Sequence, residues 1–133
     1  MIVADTNTIA YLYLNSEKSA QAEQLLRQEA QWIAPNLWKS EFRNVLALYL
    51  RKNLLALDDA LRIVRQAETL LQQNEYEVSS AQVLQLVASS DCSAYDCEFV
   101  ALAKLLNVPL ITADRKVQKA FPEIARTIED FLG

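Results

Sequence analysis

Two short apolar runs in this sequence end on aspartate. Ile2-Val3-Ala4 stops at Asp5 and is followed by Thr6-Asn7-Thr8, and Pro109-Leu110-Ile111-Thr112-Ala113 stops at Asp114. Two more acids stand among apolar residues at helical spacing. In PNLWKSEFRNVLALYL, residues Leu37, Trp38, Val45 and Leu48 lie within about 60° of Glu41 on a helical wheel, which predicts Glu41 in the middle of a buried stripe. Asp96 repeats the pattern in SDCSAYDCEFVALAKLL: Cys92, Phe99, Val100 and Ala103 share its face, while Glu98 and Lys104 fall elsewhere. An unpaired carboxylate in an apolar interior costs several kcal/mol or is forced to stay protonated, so each of these acids needs compensation. Taken singly, each could pair with a nearby Arg or Lys or cap a helix. Taken together, four carboxylates converging on one crevice are most simply stabilised by a divalent cation. Hard cations such as Mg²⁺ take oxygen ligands, keep several waters and borrow oxygens from substrate phosphate. The same donor set suits Mn²⁺, and zinc is disfavoured.

What is missing narrows the chemistry further. There is no histidine, which excludes a Ser-His-Asp triad, a histidine general base and a histidine-ligated zinc. The only glycine is Gly133, so neither a P-loop nor a dinucleotide fingerprint can be formed. Carboxylates, hydroxyls, Lys and Arg remain. A net charge of −4 and a pI near 4.8 argue against a broad nucleic-acid-binding surface, although a cluster of metal-binding carboxylates would itself make the total acidic.

The elements that must hold these residues follow from the apolar pattern. Residues 2–5 read as a buried strand, followed by a short helix from Thr6 to about Leu14. A second helix is expected from Ser16-Glu17 through SAQAEQLLRQEA, with Ser16 as N-cap. Trp32-Ile33-Ala34 reads as a strand ended by Pro35, and Asn36 as the cap of a helix running to about Lys52. Further helices are predicted from Leu57 or Asp58 to about Gln73, from Ser80 to about Ala88 and from Ser93 to about Asn107. Strands are predicted at 76–78, 109–113 and 125–128, with a short helix from Asp114 closed by Pro122. Strands alternating with helices indicate an α/β fold with a mostly parallel sheet, whose ligand crevice lies beyond the carboxyl ends of the strands. Asp5 and Asp114 would sit there.

The 133 residues fit one domain with a real core, at 52% hydrophobic and 23% charged residues. No apolar run approaches a membrane span and no signal-like start is seen, so a cytoplasmic protein is expected. Cys92 and Cys97 read as buried thiols of a reducing compartment rather than a disulfide framework.

Four segments, in order and covering nearly the whole chain, resemble a PIN-domain ribonuclease, most closely the VapC-type toxins of bacterial toxin–antitoxin pairs: MIVADTN, SEFRNVL, SAYDCEFVALAKLLNVPLITAD and ADRKVQKAF. The third is the most specific, because it joins Tyr95-Asp96 to the Thr112-Ala113-Asp114 strand end. The resemblance implies a PIN-like three-layer α/β/α sandwich with a mostly parallel central sheet. It also implies that Asp5, Glu41, Asp96 and Asp114 bind Mg²⁺ or Mn²⁺ for hydrolysis of RNA to a 5′ phosphate and a 3′ hydroxyl. A homodimer and inhibition by a cognate VapB-like antitoxin are implied as well. Two positions depart from the pattern. Ser89-Ser90-Asp91-Cys92 stands where relatives often carry a glycine, and Cys97 where alanine is usual.

Around the four acids, Thr6, Asn7 and Thr112 could orient the strand-end aspartates or simply form turns and caps. Asn44 could face the crevice or solvent, and Asp91, a possible fifth acid, is read as capping the next helix or stabilising its dipole. Arg115 and Lys116, and less directly Arg43 and Lys39, flank the acids and could hold RNA phosphates, which positions a backbone without reading sequence. Tyr11, Leu12, Leu14, Leu54 and Leu55 could serve the core or an antitoxin groove. The main alternative is a catalytically idle PIN-like module that only binds a protein partner. A haloacid-dehalogenase-like phosphatase is set aside because position 7 is Asn where a second aspartate is wanted. A receiver domain is set aside because Asp58-Asp59 starts a helix.

Overall fold

Five short strands form the sheet in the computed structural model, which describes all residues 1–133: β1 (Ile2–Ala4), β2 (Trp32–Pro35), β3 (Glu75–Tyr76), β4 (Leu110–Ile111) and β5 (Ala125–Arg126). Their spatial order is β3-β2-β1-β4-β5, and every neighbouring pair is parallel. β1 and β2 are buried along their whole length, as unbroken apolar runs must be in a parallel sheet covered on both faces. Eight helices connect them: α1 (Thr6–Tyr13), α2 (Ser19–Gln28), α3 (Leu37–Arg51), α4 (Leu57–Leu70), α5 (Ser80–Ala88), α6 (Ala94–Leu106), α7 (Arg115–Ala120) and α8 (Ile128–Leu132).

From β1 the chain winds outward through β2 to β3, then returns past β1 to β4 and on to β5. Right-handed crossovers place helices of the outward half on one face and those of the return on the other. Accordingly α3 packs on β2 with α1 and α4 against it, while α6 crosses β1, β2 and β4 and carries α5. The result is the three-layer α/β/α arrangement, with the sheet parallel throughout. The buried residues form one contiguous core from Ile2 to Ile128, centred on Trp32, Trp38, Phe42 and Leu102.

Local chemistry moved several boundaries. Ser16 does not cap α2: its Oγ accepts the Lys18 N–H while its own N–H donates to Ser19 Oγ, closing a turn that delays the helix to Ser19. Asn36 precedes α3 without a side-chain cap, its N–H donating instead to the Tyr76 carbonyl. Asp91 is not the cap of α6 either, because the Ser93 hydroxyl accepts the Asp96 N–H. The α4 helix ends at Leu70, and the strands are shorter than expected. Thr127 stops β5 by capping α8, a short helix the apolar pattern did not announce. Cys92 and Cys97 are free and buried, as expected.

Candidate active site

The chain reverses its direction across the sheet between β1 and β4, and there the carboxyl ends of two adjacent strands open a crevice. Asp5 follows β1 directly and its N–H donates to the Ile111 carbonyl of β4, 3.3 Å away. Asp114 follows β4 by two residues. A cleft of about 430 Å³ at this point is lined by both aspartates and by Glu41 and Asp96. Its fifteen lining residues include no Lys or Arg, so nothing in the wall neutralises the four acids.

Each strand-end aspartate doubles as a helix N-cap, which is why the strand-to-helix turn fixes it so firmly. Asp5 Oδ1 accepts the Thr8 N–H at 2.8 Å and the Thr8 hydroxyl at 2.7 Å. Asp114 Oδ1 accepts the N–H groups of Lys116 and Val117 at 2.8 and 3.2 Å. In both cases the capping bonds all fall on one carboxylate oxygen. Capping therefore explains half of each carboxylate. Asp96 lies in the first turn of α6, so three helix N-termini bring their partial positive charge to this cleft.

Glu41 reaches the cleft from α3, where the sequence pattern misjudged the face. The buried stripe of that helix is Trp38, Phe42 and Leu46, and Leu48 is 47% exposed. Leu37, Glu41 and Val45 form the adjacent stripe, which lines the cleft where Leu37 and Val45 pack at the edge of the core. Glu41 Oε1 accepts the Thr6 hydroxyl at 2.7 Å, leaving Oε2 free. None of the four acids takes part in an ion pair, so pairing with a nearby Arg or Lys does not account for them.

Burial pushes the Asp5 carboxyl above the ordinary aspartate range, and the Asp114 charge adds to the rise. The Thr112 and Thr8 hydroxyls and the Thr8 N–H oppose it. Glu41 is likewise pushed up, first by burial and then by Asp96 and Asp5, against the bond from Thr6. The carboxylates thus raise one another across the cleft. Three buried threonines hold the arrangement, and they are the only buried polar residues of the chain: Thr6, Thr8 and Thr112. Thr112 Oγ1 also accepts the Asp114 N–H at 3.0 Å, linking one aspartate to the other. Thr8 was missed by the sequence reading, although a threonine three residues after a strand-end aspartate is where an N-cap finds its donor.

Of the other expected residues, Asn7 and Asn44 line the cleft, with Ser40 beside them. Arg115 and Lys116 are exposed on the first turn of α7, next to Asp114 and without an ion pair. Arg43 is exposed on α3 outside the cleft lining. Lys39 turns away from the cleft, with Nζ 3.6 Å from Glu68 and 3.7 Å from Glu75.

Residues 2–125 match the PIN domain. The chain belongs to the PIN-domain family. Its relatives include ribonuclease VapC3 of Pyrobaculum aerophilum, 29% identical over 126 residues that span 92% of this chain and 96% of the relative. The family's fold is equally plain in solved structures. FitAcB from Neisseria gonorrhoeae superposes with a TM-score of 0.77 at 17% identity, over 97% of this chain and 99% of its own. A toxin–antitoxin complex from Klebsiella pneumoniae superposes with 0.69 at 19% identity, over 96% and 98%. PIN-domain nucleases generally use divalent metal ions. The donor set here fits such an ion: four carboxylates, each with an oxygen outside its capping or Thr6 bond, around a cleft with room for water. No three of them close on a common point as in a finished cage. An open set of that kind leaves room for the waters that a hard divalent cation keeps.

Proposed function

We propose that this chain is a metal-dependent endoribonuclease toxin that hydrolyses RNA phosphodiester bonds and is held inactive by a cognate VapB-like antitoxin. The observation that carries the reading is the cleft at the sheet's switch point. Four carboxylates line it, each keeps an oxygen outside its capping or Thr6 bond, and no cationic side chain is among its lining residues. The ribonuclease name of the 29% identical relative supports the same chemistry, and the toxin–antitoxin complex among the structural relatives supports the partner.

Asp5 and Asp96 would hold Mg²⁺ or Mn²⁺, with Asp114 and Glu41 completing the set or orienting the attacking water by hydrogen bonds. When bound, the ion would lower the pKa of water and stabilise charge on the phosphoryl and leaving oxygens. Thr8 and Thr112 keep Asp5 aimed into the cleft, and Thr6 keeps Glu41 there. Asn7 contributes an amide at the cleft wall. Arg115 and Lys116 would hold flanking phosphates of the RNA, with Arg43 and Lys39 as more distant contributors. Water attack on phosphorus with release of the 3′ oxygen leaves a 5′ phosphate and a 3′ hydroxyl. The chain would act as one domain, as a homodimer, in the cytoplasm. No helix is long and apolar enough to cross a membrane.

The test is cleavage of a mixed cellular RNA pool by antitoxin-free protein with Mg²⁺ or Mn²⁺, with chelator, and with Asp96→Asn beside it. Discrete products that require the metal and vanish in the variant are expected. Wild type and variant that are equally inert on every RNA, while metal still binds, would overturn the enzyme reading in favour of a protein-binding PIN module.

A further inference from the structure

The cleft that holds the four acids repels RNA when it is empty, and its lining supplies no cation to reverse that. A bound cation and the flanking Arg115 and Lys116 would serve the phosphates, and the base needs a contact of its own. One side chain offers it. Tyr95 lines the same cleft, immediately before Asp96 on the first turn of α6, and is 63% exposed. Of the chain's eleven aromatic residues it is the only one among the exposed large hydrophobic side chains. The two tryptophans, Phe42 and Phe99 are buried, and Tyr13 packs edge-on against Phe42 and donates its hydroxyl to the Gln66 carbonyl. The Tyr95 ring packs with no other ring and its hydroxyl makes no protein hydrogen bond, so neither face nor tip has a structural duty.

We propose that Tyr95 is a stacking platform for the nucleobase next to the scissile phosphate, holding an unpaired nucleotide with its phosphate over Asp5 and Asp96. The role rests on the nuclease reading above and adds to it a base-binding residue. Bases of single-stranded RNA stack on exposed aromatic rings whatever their identity, because every base has a π-face. The cleft, of about 430 Å³, has room for a nucleotide. Position also favours the ring. Sitting one residue from Asp96 on a helix, it moves with the carboxylate and sets the distance between base and phosphate.

The experiment compares wild type with Tyr95→Phe, Tyr95→Leu and Tyr95→Ala, using a short mixed-sequence single-stranded RNA that carries 2-aminopurine. Binding is followed by fluorescence quenching with Ca²⁺ in place of Mg²⁺, and cleavage of the RNA pool is measured separately with Mg²⁺ or Mn²⁺. Base–aromatic stacking corresponds to roughly a 5- to 150-fold change in affinity. Tyr95→Ala and Tyr95→Leu should weaken binding by a factor in that range and lose the quench. Tyr95→Phe should keep both within about twofold, because the hydroxyl is unpaired. Leucine matching phenylalanine in affinity and quench would overturn the role, since it removes the ring and retains an apolar side chain. A wild type that cleaves RNA while all three variants bind and cleave like it would overturn the role alone. A wild type that neither quenches the probe nor cleaves any RNA would overturn the nuclease reading and this role together.

Discussion

Thr6→Val isolates what holds Glu41 in the cleft. Valine reproduces the shape of a buried threonine and removes one group, the hydroxyl that donates to Glu41 Oε1 at 2.7 Å. A hydrogen bond from a neutral donor to a carboxylate contributes roughly 1.5–3 kcal/mol when it is dry. Glu41 is open to solvent on its cleft side, so the expected loss at neutral pH is about 1–1.5 kcal/mol. The sign with pH follows from the same bond. Thr6 opposes the upward push on the Glu41 carboxyl, so without it the folded-state value climbs further above the ordinary glutamate range. The variant's deficit is then full where Glu41 is ionised and shrinks once pH falls low enough to protonate it in both proteins. Urea unfolding of wild type and Thr6→Val, without divalent cation, at pH 7.5 and pH 4 measures the difference. A deficit equal at the two pH values, or none at pH 7.5, would refute the assignment of Thr6 as the residue that holds the ionised Glu41.

The cation-free protein should show an inverted carboxylate signature. Asp5 and Glu41 are raised on folding, so their contribution to stability is present below the ordinary range of about 4 and is lost as pH rises through their folded values. Mg²⁺ should therefore raise the melting temperature more at pH 7.5 than at pH 5, and the Asp5→Asn/Glu41→Gln double variant should lose that gain; equal gains at both pH values would count against the cleft as the binding site. For RNA, Arg115→Ala/Lys116→Ala should raise KM and lessen the salt slope of binding by roughly 1–2, whereas Lys39→Ala should do less because its ammonium lies between Glu68 and Glu75. Equal effects of the two substitutions on KM would reverse that ranking.

The strand-end acids were legible because a parallel strand buried on both faces is a short apolar run, and the residue after it must lie at the sheet's carboxyl edge. Asp5 and Asp114 needed no further information to be placed there. Asp96 of α6 was legible because it shares the helical face of Cys92, Phe99, Val100 and Ala103, all of which are buried or nearly so. Glu41 was found for an inexact reason. Periodicity registers Leu37, Trp38, Val45 and Leu48 as the face of Glu41, of which only Trp38 is fully buried, because it cannot distinguish a stripe that lines a cleft from one that meets the core. In the fold the core took the neighbouring stripe of Trp38, Phe42 and Leu46. The α8 helix had a local signal too, a threonine with an acid three residues on, in Thr127 and Asp130.

The sequence by itself determined most element types, the parallel α/β class and the family, and it singled out four acids, because each of these is written in local pattern or in motif spacing. Tertiary structure alone decided which oxygen of Asp5, Glu41 and Asp114 takes the capping or Thr6 bond. It drew Lys39 to Glu68 and Glu75, residues 29 and 36 positions away in the chain. It also set Thr6 against Glu41, 35 positions apart, and left Tyr95 unpaired beside them. Those outcomes depend on distances across the sheet and between helix ends, and such distances are fixed only when the core has packed.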